Sequence, residues 1–393
     1  MQEWLPKDKV CIVGIGETEY TQWGQITRPE YQLACEAIMK AADDAGISVD
    51  EIDGICSYAN DRNEPARLAT TLGFRRLRFS NMVWGGAGGT GSAAVMNACL
   101  AVATGSANYV VAFRALAQGQ FARFGQSPAA GATASGGSAF SAPYGFMVPA
   151  QVYGMKARRH MHEYGTTSRQ FGAVSVACYK HAQRNPRAAA YGKPLTIEDH
   201  QKSRIICDPL RLYDCCRESD GAAAVILTSA ERAKNLKQRP VYIMGASQGM
   251  DFRGGVGFEQ TWGKPDYPTA NFEKVATDLY ARAGVAPKDV NVAQIYENFT
   301  PMTIMSIENH GFCKRGEGGP FVENGRIEWP NGELPINTSG GNLAEAYIHG
   351  FELVNEAVRQ MRGTSTCQVK DAEICLVASG PGTILTSDLI VRR

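Results

Sequence analysis

Three short segments combine residue types that can move protons or hold negative charge. Residues 296–299 read Tyr-Glu-Asn-Phe and residues 345–350 read Glu-Ala-Tyr-Ile-His-Gly, so each segment offers a phenol beside other polar groups. A glycine-rich run at residues 85–91 precedes an apolar helical pattern, and backbone N–H groups at the start of a helix stabilise anions. Phenols can serve as general acids or bases. The three segments therefore indicate proton transfer on a substrate that develops negative charge.

A repeated pattern of elements positions these segments. Residues 9–15 and 241–245 predict strands, and helical patterns follow that end at Gly46 and Gly284, 238 residues apart. In each copy the next predicted strand leads to a tyrosine, Tyr58 or Tyr296. A helix at residues 92–103 with a strand at 109–113 then matches a helix near 350–362 with a strand at 373–378. The sequence thus predicts one α/β unit that is used twice.

The duplication predicts an α/β fold with five layers in the order αβαβα. We expect an N-terminal half at residues 1–235 and a C-terminal half at 236–393, with helices on both faces of mostly parallel sheets. The helix at 92–103 is apolar on all sides, which predicts a central, buried position. An insertion at about 118–205 carries helical patterns at 152–164 and 168–184. Its glycine-, alanine- and serine-rich run at 129–140 is a candidate for ordering on substrate or partner binding.

Charge and cysteine content exclude several classes of protein. Forty basic and thirty-nine acidic residues give a net charge of +1, which leaves no broad basic field for nucleic acid or anionic membranes. The eleven cysteines are scattered without the spacing of zinc ligands, so we expect reduced thiols and no metal site. No apolar stretch of about 18 residues occurs. We therefore expect a soluble, cytoplasmic, globular protein.

Several motifs together resemble one family over essentially the whole chain. They are Asn185-Pro186, the run DPLRLYDCCRESDGAAA at residues 208–224, and the run GFCKRGEGG at 311–319, within the duplicated framework. In this combination the chain resembles the sterol-carrier-protein type of thiolase. The resemblance implies the five-layer fold and a homodimer. It also implies a coenzyme A thioester as substrate, with no separate cofactor, and an insertion that supplies much of the substrate site.

The catalytic motifs of that family are altered here. Gly88 stands at the position of the nucleophilic cysteine, and Cys99 lies about 16 Å further along the predicted helix. Tyr296 opens the second motif, and Tyr347 stands at the position of the family's histidine. Cys375 lies one residue out of register with the last motif. Without a thiolate no acyl-enzyme forms, so the sequence predicts chemistry other than Claisen cleavage.

The Tyr-Glu-Asn-Phe and Glu-Ala-Tyr-Ile-His-Gly motifs resemble those of thiolase-like lipid-transfer proteins that act as aldolases in bacterial steroid side-chain degradation. This resemblance implies retro-aldol cleavage of a bulky β-hydroxyacyl-CoA to a ketone and a short acyl-CoA, such as propionyl-CoA. It also implies a small zinc-ribbon/OB-fold partner protein, fused to or associated with an enoyl-CoA hydratase.

A retro-aldol reaction needs a base for the β-hydroxyl, donors for the enolate and an acid for Cα. We expect Tyr296 to be the base and Tyr347 the acid, although the reverse assignment stays open. The oxyanion donors expected are backbone N–H groups of Gly88 and of the turn containing Ser379 and Gly380. The residues expected to support the two tyrosines are Glu297, Asn298 and His349.

Two other functions stay open from the sequence. A thiolase with a displaced nucleophile would have to use Cys56, near the end of a predicted strand, or Cys99. A non-catalytic subunit would bind acyl-CoA or lipid without turnover. Two proton-transfer groups in register with the family's motifs favour the aldolase over this third function.

Overall fold

The computed structural model describes residues 4–59, 61–85, 87–121, 139, 141–250, 267–383 and 385–393. The run at 129–140 lies outside the described residues, apart from Ala139. Within the described residues, the strands are β1 (Val10–Glu17), β2 (Thr21–Gln22), β3 (Gly54–Ser57), β4 (Phe79–Met82), β5 (Val110–Leu116), β6 (Ile205–Cys207), β7 (Leu210–Arg211), β8 (Ser219–Ser229), β9 (Val241–Gly249), β10 (Val292–Ile295), β11 (Ile374–Ser379) and β12 (Thr386–Arg392).

The strand order shows the duplication directly. The main sheet runs β10-β11-β12-β9-β1-β8-β5-β3-β4, and β2 pairs with β8. Read outward from the centre, β1-β8-β5-β3 repeats the order β9-β12-β11-β10. The halves meet where β1 and β9 pair antiparallel through only two registered pairs, Cys11 with Tyr242 and Ile12 with Val241. The expected boundary after residue 235 falls between the last helix of the first half and β9, and it stays a prediction.

The expectation of mostly parallel strands was wrong. β3 is parallel to β4 and β5, and β10 is parallel to β11, but the pairs β1/β8, β5/β8, β1/β9, β9/β12 and β11/β12 are antiparallel. The turn between β11 and β12 is too short for a crossover helix, so these two strands form a hairpin. The fold is therefore α/β with a mixed sheet.

The helices complete the layers. They are α1 (Glu30–Ala45), α2 (Pro65–Leu72), α3 (Thr90–Ala103), α4 (Pro149–Tyr164), α5 (Ser168–Ala182), α6 (Ile197–Lys202), α7 (Ala230–Ala233), α8 (Glu273–Ala283), α9 (Thr300–Asn309), α10 (Gly318–Phe321), α11 (Gly341–Ala344) and α12 (Phe351–Arg362). Helix α1 covers the outer face of the first half and α8 that of the second, while α3 and α12 contact strands of both. This arrangement gives the five layers that the sequence predicts.

The central helix α3 has the expected environment. Its residues are almost all buried, including the polar Thr90 and Ser92, and its apolar side chains pack against both half-sheets. The insertion contributes α4, α5 and α6, and the hairpin of β6 and β7 follows it. Among the described residues, no helix is both long enough and apolar enough to span a membrane.

Candidate active site

A cavity of about 1050 Å³ lies where the strand ends of both halves meet the insertion. Gly88, Tyr296, Asn298, Tyr347 and His349, all of them site residues predicted from the sequence, line it together. The other lining residues are largely aromatic, apolar or basic and include Trp23, Tyr58, Tyr153, Tyr179, Arg204, Ile206, Leu212, Tyr213, Cys215, Cys216, Arg217 and Phe299. The cavity can therefore hold a large, mainly apolar ligand with polar chemistry at one end.

The hydroxyl groups of Tyr296 and Tyr347 are hydrogen-bonded to each other, with 2.9 Å between the two oxygens. Their rings meet edge to face at an interplanar angle of 70°. Tyr296 is almost fully buried, and Tyr347 is partly exposed toward the cavity. A proton can move between the two oxygens without water because the hydrogen bond joins them directly.

The backbone fixes each tyrosine from a different element. The N–H of Tyr296 donates to the carbonyl of Ala378 at 2.9 Å, which continues the parallel pairing of β10 with β11. Tyr347 lies between α11 and α12, where its N–H donates to the hydroxyl of Ser219 in β8 at 3.2 Å. The ring of Tyr296 packs on Gly350, whose φ is +84° and where a Cβ would lie 2.7 Å from a ring carbon. The two phenols are therefore positioned by both halves of the fold.

Both phenols are protonated at neutral pH. Burial raises the pKa of Tyr296 well above 10, and the neighbouring Tyr347 raises it further. Burial also raises the pKa of Tyr347 well above 10, and the hydrogen bond with Tyr296 only partly opposes this. A phenolate base is thus not preformed in the unliganded site.

Gly88 faces the ring of Tyr296 across the cavity floor. A Cβ on Gly88 would lie 3.1 Å from both the Cζ and the hydroxyl oxygen of Tyr296, and 3.3 Å from the Cα of Gly380. The backbone of Gly380, whose φ is +78°, lies against that of Gly89, and a Cβ on Gly380 would lie 2.0 Å from the nitrogen of Gly89. The Tyr296 ring therefore crowds the space that a side chain at position 88 would need.

The hydroxyl of Ser379 holds the start of α3. It accepts the N–H of Ser92 at 3.2 Å, and the two serine hydroxyls lie 2.9 Å apart. Ser387 accepts the next N–H, that of Ala93, at 2.9 Å. Ser379 and Gly380 lie outside the cavity lining, whereas Gly88 lies in it. Of the residues that the sequence predicts to supply oxyanion donors, Gly88 is the one that lines the cavity with the phenols.

His349 belongs to a buried polar cluster behind Tyr347. The Nε of Arg114 donates to Nδ1 of His349 at 3.2 Å, so this ring nitrogen is an acceptor and carries no proton. Burial lowers the pKa of His349 well below 6.5, and the charges of Arg114 and Arg62 lower it further. The imidazole is therefore neutral at physiological pH. Its ring meets that of Tyr347 edge-on, with the centroids 4.9 Å apart.

Glu297 lies beneath the cavity wall and supports the turn that leads to Tyr347. Its carboxylate accepts from Nδ2 of Asn342 at 2.9 Å and from the N–H of Leu343 at 3.4 Å. Burial raises its pKa to about 7. Asn298 does line the cavity, and its Nδ2 donates to the carbonyl of Pro381 at 3.4 Å. Glu297 therefore holds the segment at Asn342 and Leu343, and Asn298 holds the turn at Pro381.

The cysteines proposed as displaced nucleophiles lie elsewhere. Cys56 in β3 and Cys99 in α3 are fully buried outside the cavity lining, and burial raises the pKa of each thiol. Cys375 is also fully buried, in β11. These thiols are protonated and have no access to a substrate.

Sequence reasoning missed other residues of the site. Cys215 and Cys216 line the cavity together with Tyr347. Arg114 is fully buried and forms an ion pair of 3.0 Å with the equally buried Asp61. Tyr58 lines the cavity beside Gly88. The duplication offers a signal for Tyr58, since it stands at the end of β3 as Tyr296 stands at the end of β10.

The duplicated five-layer fold with a glycine at the nucleophile position defines a thiolase-like protein without thiolase chemistry. Comparison with known families agrees, because residues 258–391 match the model described as thiolase C-terminal domain-like.

Relatives define the branch more narrowly. The chain is 45% identical to the 17-hydroxy-3-oxo-4-pregnene-20-carboxyl-CoA lyase of Mycobacterium tuberculosis, over 98% of this chain and 99% of that protein. It is 41% identical to the steroid side-chain-cleaving aldolase of Thermomonospora curvata, over 97% of each chain. The solved structure of the Ltp2-ChsH2(DUF35) aldolase superposes with a TM-score of 0.91, at 40% identity over 99% of both chains. The chain therefore belongs to the steroid side-chain-cleaving aldolases of the thiolase superfamily, and it is a carbon–carbon lyase.

Proposed function

We propose that the protein cleaves the side chain of a steroid β-hydroxyacyl-CoA by a retro-aldol reaction. The M. tuberculosis relative is named for a compound with a hydroxyl on C17 and a carboxyl-CoA on C20. In such a compound the hydroxyl is β to the thioester carbonyl. Breaking the C17–C20 bond leaves a ketone at C17 and releases propionyl-CoA.

The observation that carries the proposal is the 2.9 Å hydrogen bond between Tyr296 and Tyr347. In the proposed reaction, the substrate hydroxyl gives its proton to the oxygen of Tyr296 as the Cα–Cβ bond breaks. Tyr296 gives its own proton to Tyr347, and Tyr347 protonates Cα. The electron pair of the broken bond passes into the thioester enolate and ends in the new C–H bond.

This relay removes the need for a phenolate. Each tyrosine gains one proton and loses one, so both are again neutral after each turnover. The raised pKa values of the two phenols are therefore compatible with catalysis. The two ends of the relay suit the substrate, because its hydroxyl oxygen and its Cα are separated by only two bonds. The reaction balances with the CoA ester as the only reactant, so we propose that no cofactor takes part.

The enolate oxygen needs a donor, and we propose the N–H of Gly88. This residue lies two positions before the first residue of α3, near the helix end whose dipole favours negative charge, and it faces Tyr296. Donors fixed by the backbone are effective because they require no reorganisation as the charge develops. Ser379 is proposed only as a support for α3, since its hydroxyl is engaged with Ser92.

The shape and charge of the cavity support a steroid-CoA substrate. Its volume of about 1050 Å³ and its aromatic lining suit a rigid polycyclic group. Arg204 and Arg217 also line it, and guanidinium groups bind phosphates well. We propose that the phosphates of coenzyme A approach these two arginines while the steroid contacts the aromatic residues.

The two alternatives have less support. A thiolase would need Cys56 or Cys99, and both thiols are buried away from the cavity. A non-catalytic binding protein would not need two hydrogen-bonded phenols opposite a glycine that leaves room for one of them.

We also propose an assembly of two copies of this chain with a small OB-fold partner. The Ltp2-ChsH2(DUF35) aldolase supports a partner, since its name pairs two components. Association with an enoyl-CoA hydratase stays a proposal from the family resemblance. For the homodimer interface we propose the edge strand β4, which ends at the exposed Met82 and is followed by the exposed Trp84. Met82→Glu should then give a monomer by light scattering, whereas Met39→Glu, on an exposed face of α1, should not.

Mass spectrometry of the products tests the proposed reaction. The protein, with and without the OB-fold partner, is incubated with a panel of β-hydroxyacyl-CoA esters. The expected products are a steroid ketone and a short acyl-CoA that has lost the steroid. Free coenzyme A should be neither consumed nor released. Consumption of free coenzyme A with a β-ketoacyl-CoA would instead identify a thiolase, and binding without turnover would identify a non-catalytic subunit.

A further inference from the structure

Tyr58 is a third buried phenol in the cavity that the proposed relay does not use. It follows β3, and it is 1% exposed. Its hydroxyl lies within reach of the hydroxyls of Thr90 and Tyr296. Tyr296 donates its own hydroxyl hydrogen to Tyr347, so its oxygen can accept a hydrogen bond from Tyr58.

A buried cation stands behind Tyr58. The guanidinium carbon of Arg114 lies 4.8 Å from the centroid of the Tyr58 ring, and the ring of His349 stacks on Tyr58 with a centroid distance of 4.7 Å. Arg114 is fully buried, and Asp61 compensates its charge at 3.0 Å. Burying such a pair is costly and rarely improves stability over apolar residues. A cation held at this cost beside the phenols points to a role in the chemistry.

We propose that Tyr58, backed by Arg114, is a positioning residue that stabilises negative charge on the oxygen of Tyr296 during the relay. This inference rests on the proposed retro-aldol function. Tyr296 loses a proton to Tyr347 and gains one from the substrate hydroxyl. Its oxygen carries partial negative charge when the transfer to Tyr347 is more advanced than the transfer from the substrate. A hydroxyl that donates to this oxygen forms a charge-assisted hydrogen bond.

The role of Arg114 follows from its position. Its positive charge lowers the pKa of Tyr58, although burial keeps that pKa raised overall. A more acidic phenol is a stronger hydrogen-bond donor, so Arg114 would strengthen a hydrogen bond from Tyr58 to a negatively charged Tyr296 oxygen. Tyr58 keeps its proton throughout, and the proton balance of the relay is unchanged.

The test replaces residue 58 in the full-length protein with phenylalanine, 3-fluorotyrosine and 3,5-difluorotyrosine. The fluorotyrosines keep the hydroxyl and make it progressively more acidic. We expect Tyr58→Phe to lower kcat by about 10- to 100-fold, with KM changed by no more than about twofold. We expect kcat to rise from phenylalanine to tyrosine and on to the two fluorotyrosines. A purely structural role would not make kcat follow the acidity of the phenol.

Two controls accompany this series. Tyr31→Phe removes a hydroxyl on α1 that bonds the carbonyl of Arg67, far from the cavity, and should leave kcat unchanged. 3-Fluorophenylalanine at residue 58 adds the fluorine without a hydroxyl and should match phenylalanine.

The outcomes separate this inference from the proposed function. Suppose that the wild-type protein cleaves the ester, but kcat does not change across the fluorotyrosines or Tyr58→Phe is as active as wild type. The role of Tyr58 is then wrong, while the proposed function stands. If the wild-type protein cleaves no β-hydroxyacyl-CoA ester, the proposed function fails and this inference fails with it. Should Tyr58→Phe not fold, the fluorotyrosine series decides by itself.

Discussion

A Cβ on Gly88 would lie 3.1 Å from the hydroxyl oxygen of Tyr296. This is closer than about nine in ten real Cβ contacts, so a cysteine at position 88 would crowd the phenol, and the ring of Tyr296 would have to shift by a few tenths of an ångström. The loss of the thiolase nucleophile and the gain of the phenol are therefore structurally linked. This relationship explains how the same fold can hold either an acyl-enzyme site or a proton relay.

Restoring the cysteine should thus not restore thiolase activity. In Gly88→Cys the new side chain must displace the ring of Tyr296 and lengthen its hydrogen bond to Tyr347. We expect kcat for ester cleavage to fall by at least about 100-fold, the usual contribution of general acid–base catalysis, without β-ketothiolase activity. Gly249→Ala is a matched control, because a Cβ there would meet its first neighbour at 3.8 Å. Thiolysis by Gly88→Cys at a useful rate would contradict this account.

Cysteine replacement tests whether the reaction needs a thiolate. Cys56→Ala and Cys99→Ala should each keep kcat within about twofold of wild type, because neither thiol reaches the cavity. Each should cost about 1 kcal/mol of unfolding free energy, since a small buried group is lost. Steady-state assays and chemical denaturation measure the two effects. An inactive but folded Cys99→Ala would favour the displaced-nucleophile thiolase instead.

The proposed phosphate contacts predict a split between kcat and KM. Arg204→Ala should raise KM for the CoA ester by about tenfold while kcat changes little, because the arginine would bind the same phosphates in ground and transition states. The matched substrate is the pantetheine thioester of the same acid, which lacks the nucleotide. An equal rise in KM for the pantetheine ester would show that Arg204 does not act on the phosphates.

Glu297 predicts an unusual pH dependence of stability. Burial raises its pKa to about 7, whereas in the unfolded chain the pKa is about 4.3. Between these values the folded protein holds a proton that the unfolded chain has lost. The contribution of this residue to stability therefore falls as the pH rises from about 4 to about 7, and it is constant above that.

The variant Glu297→Gln removes this titration. Its unfolding free energy should increase relative to wild type by about 1 to 3 kcal/mol as the pH rises through that window. The new side-chain amide can be accommodated, because Oδ1 of Asn342 has no hydrogen-bond partner among the described residues and can accept from it. Glu231→Gln, on an exposed turn of α7, is the control. A pH-independent difference between Glu297→Gln and wild type would show that the carboxyl is ionised throughout.

The sequence predicted what depends on local pattern and on repetition. The helical periods that end at Gly46 and Gly284 predicted two helices with one buried face each, and the continuous apolar run of α3 predicted a helix buried on all sides. Together these patterns predicted the duplicated five-layer fold. The antiparallel pairs escaped prediction. The directions of β8 and β12 depend on the connection through which the chain enters each strand, and the spacing of apolar residues carries no information about that connection.

For the site, spacing within motifs placed Tyr296 and Tyr347, but contacts across the fold were not predictable. Arg114 reaches His349 across 235 positions of sequence, and this contact exists only because β5 packs against the turn before α12. The engagement of Ser379 with α3 is equally long-range. The roles of the predicted site residues stay predictions until variants are assayed.

The most direct test of the relay is a double-mutant cycle on the two phenols. Tyr296→Phe and Tyr347→Phe should each lower kcat by about 100- to 10,000-fold, because each breaks the same path of proton transfer. The double variant should then be no slower than the slower single variant, since a path already broken has nothing more to lose. If the losses of the two single variants instead multiply in the double variant, the tyrosines act independently and the relay is wrong.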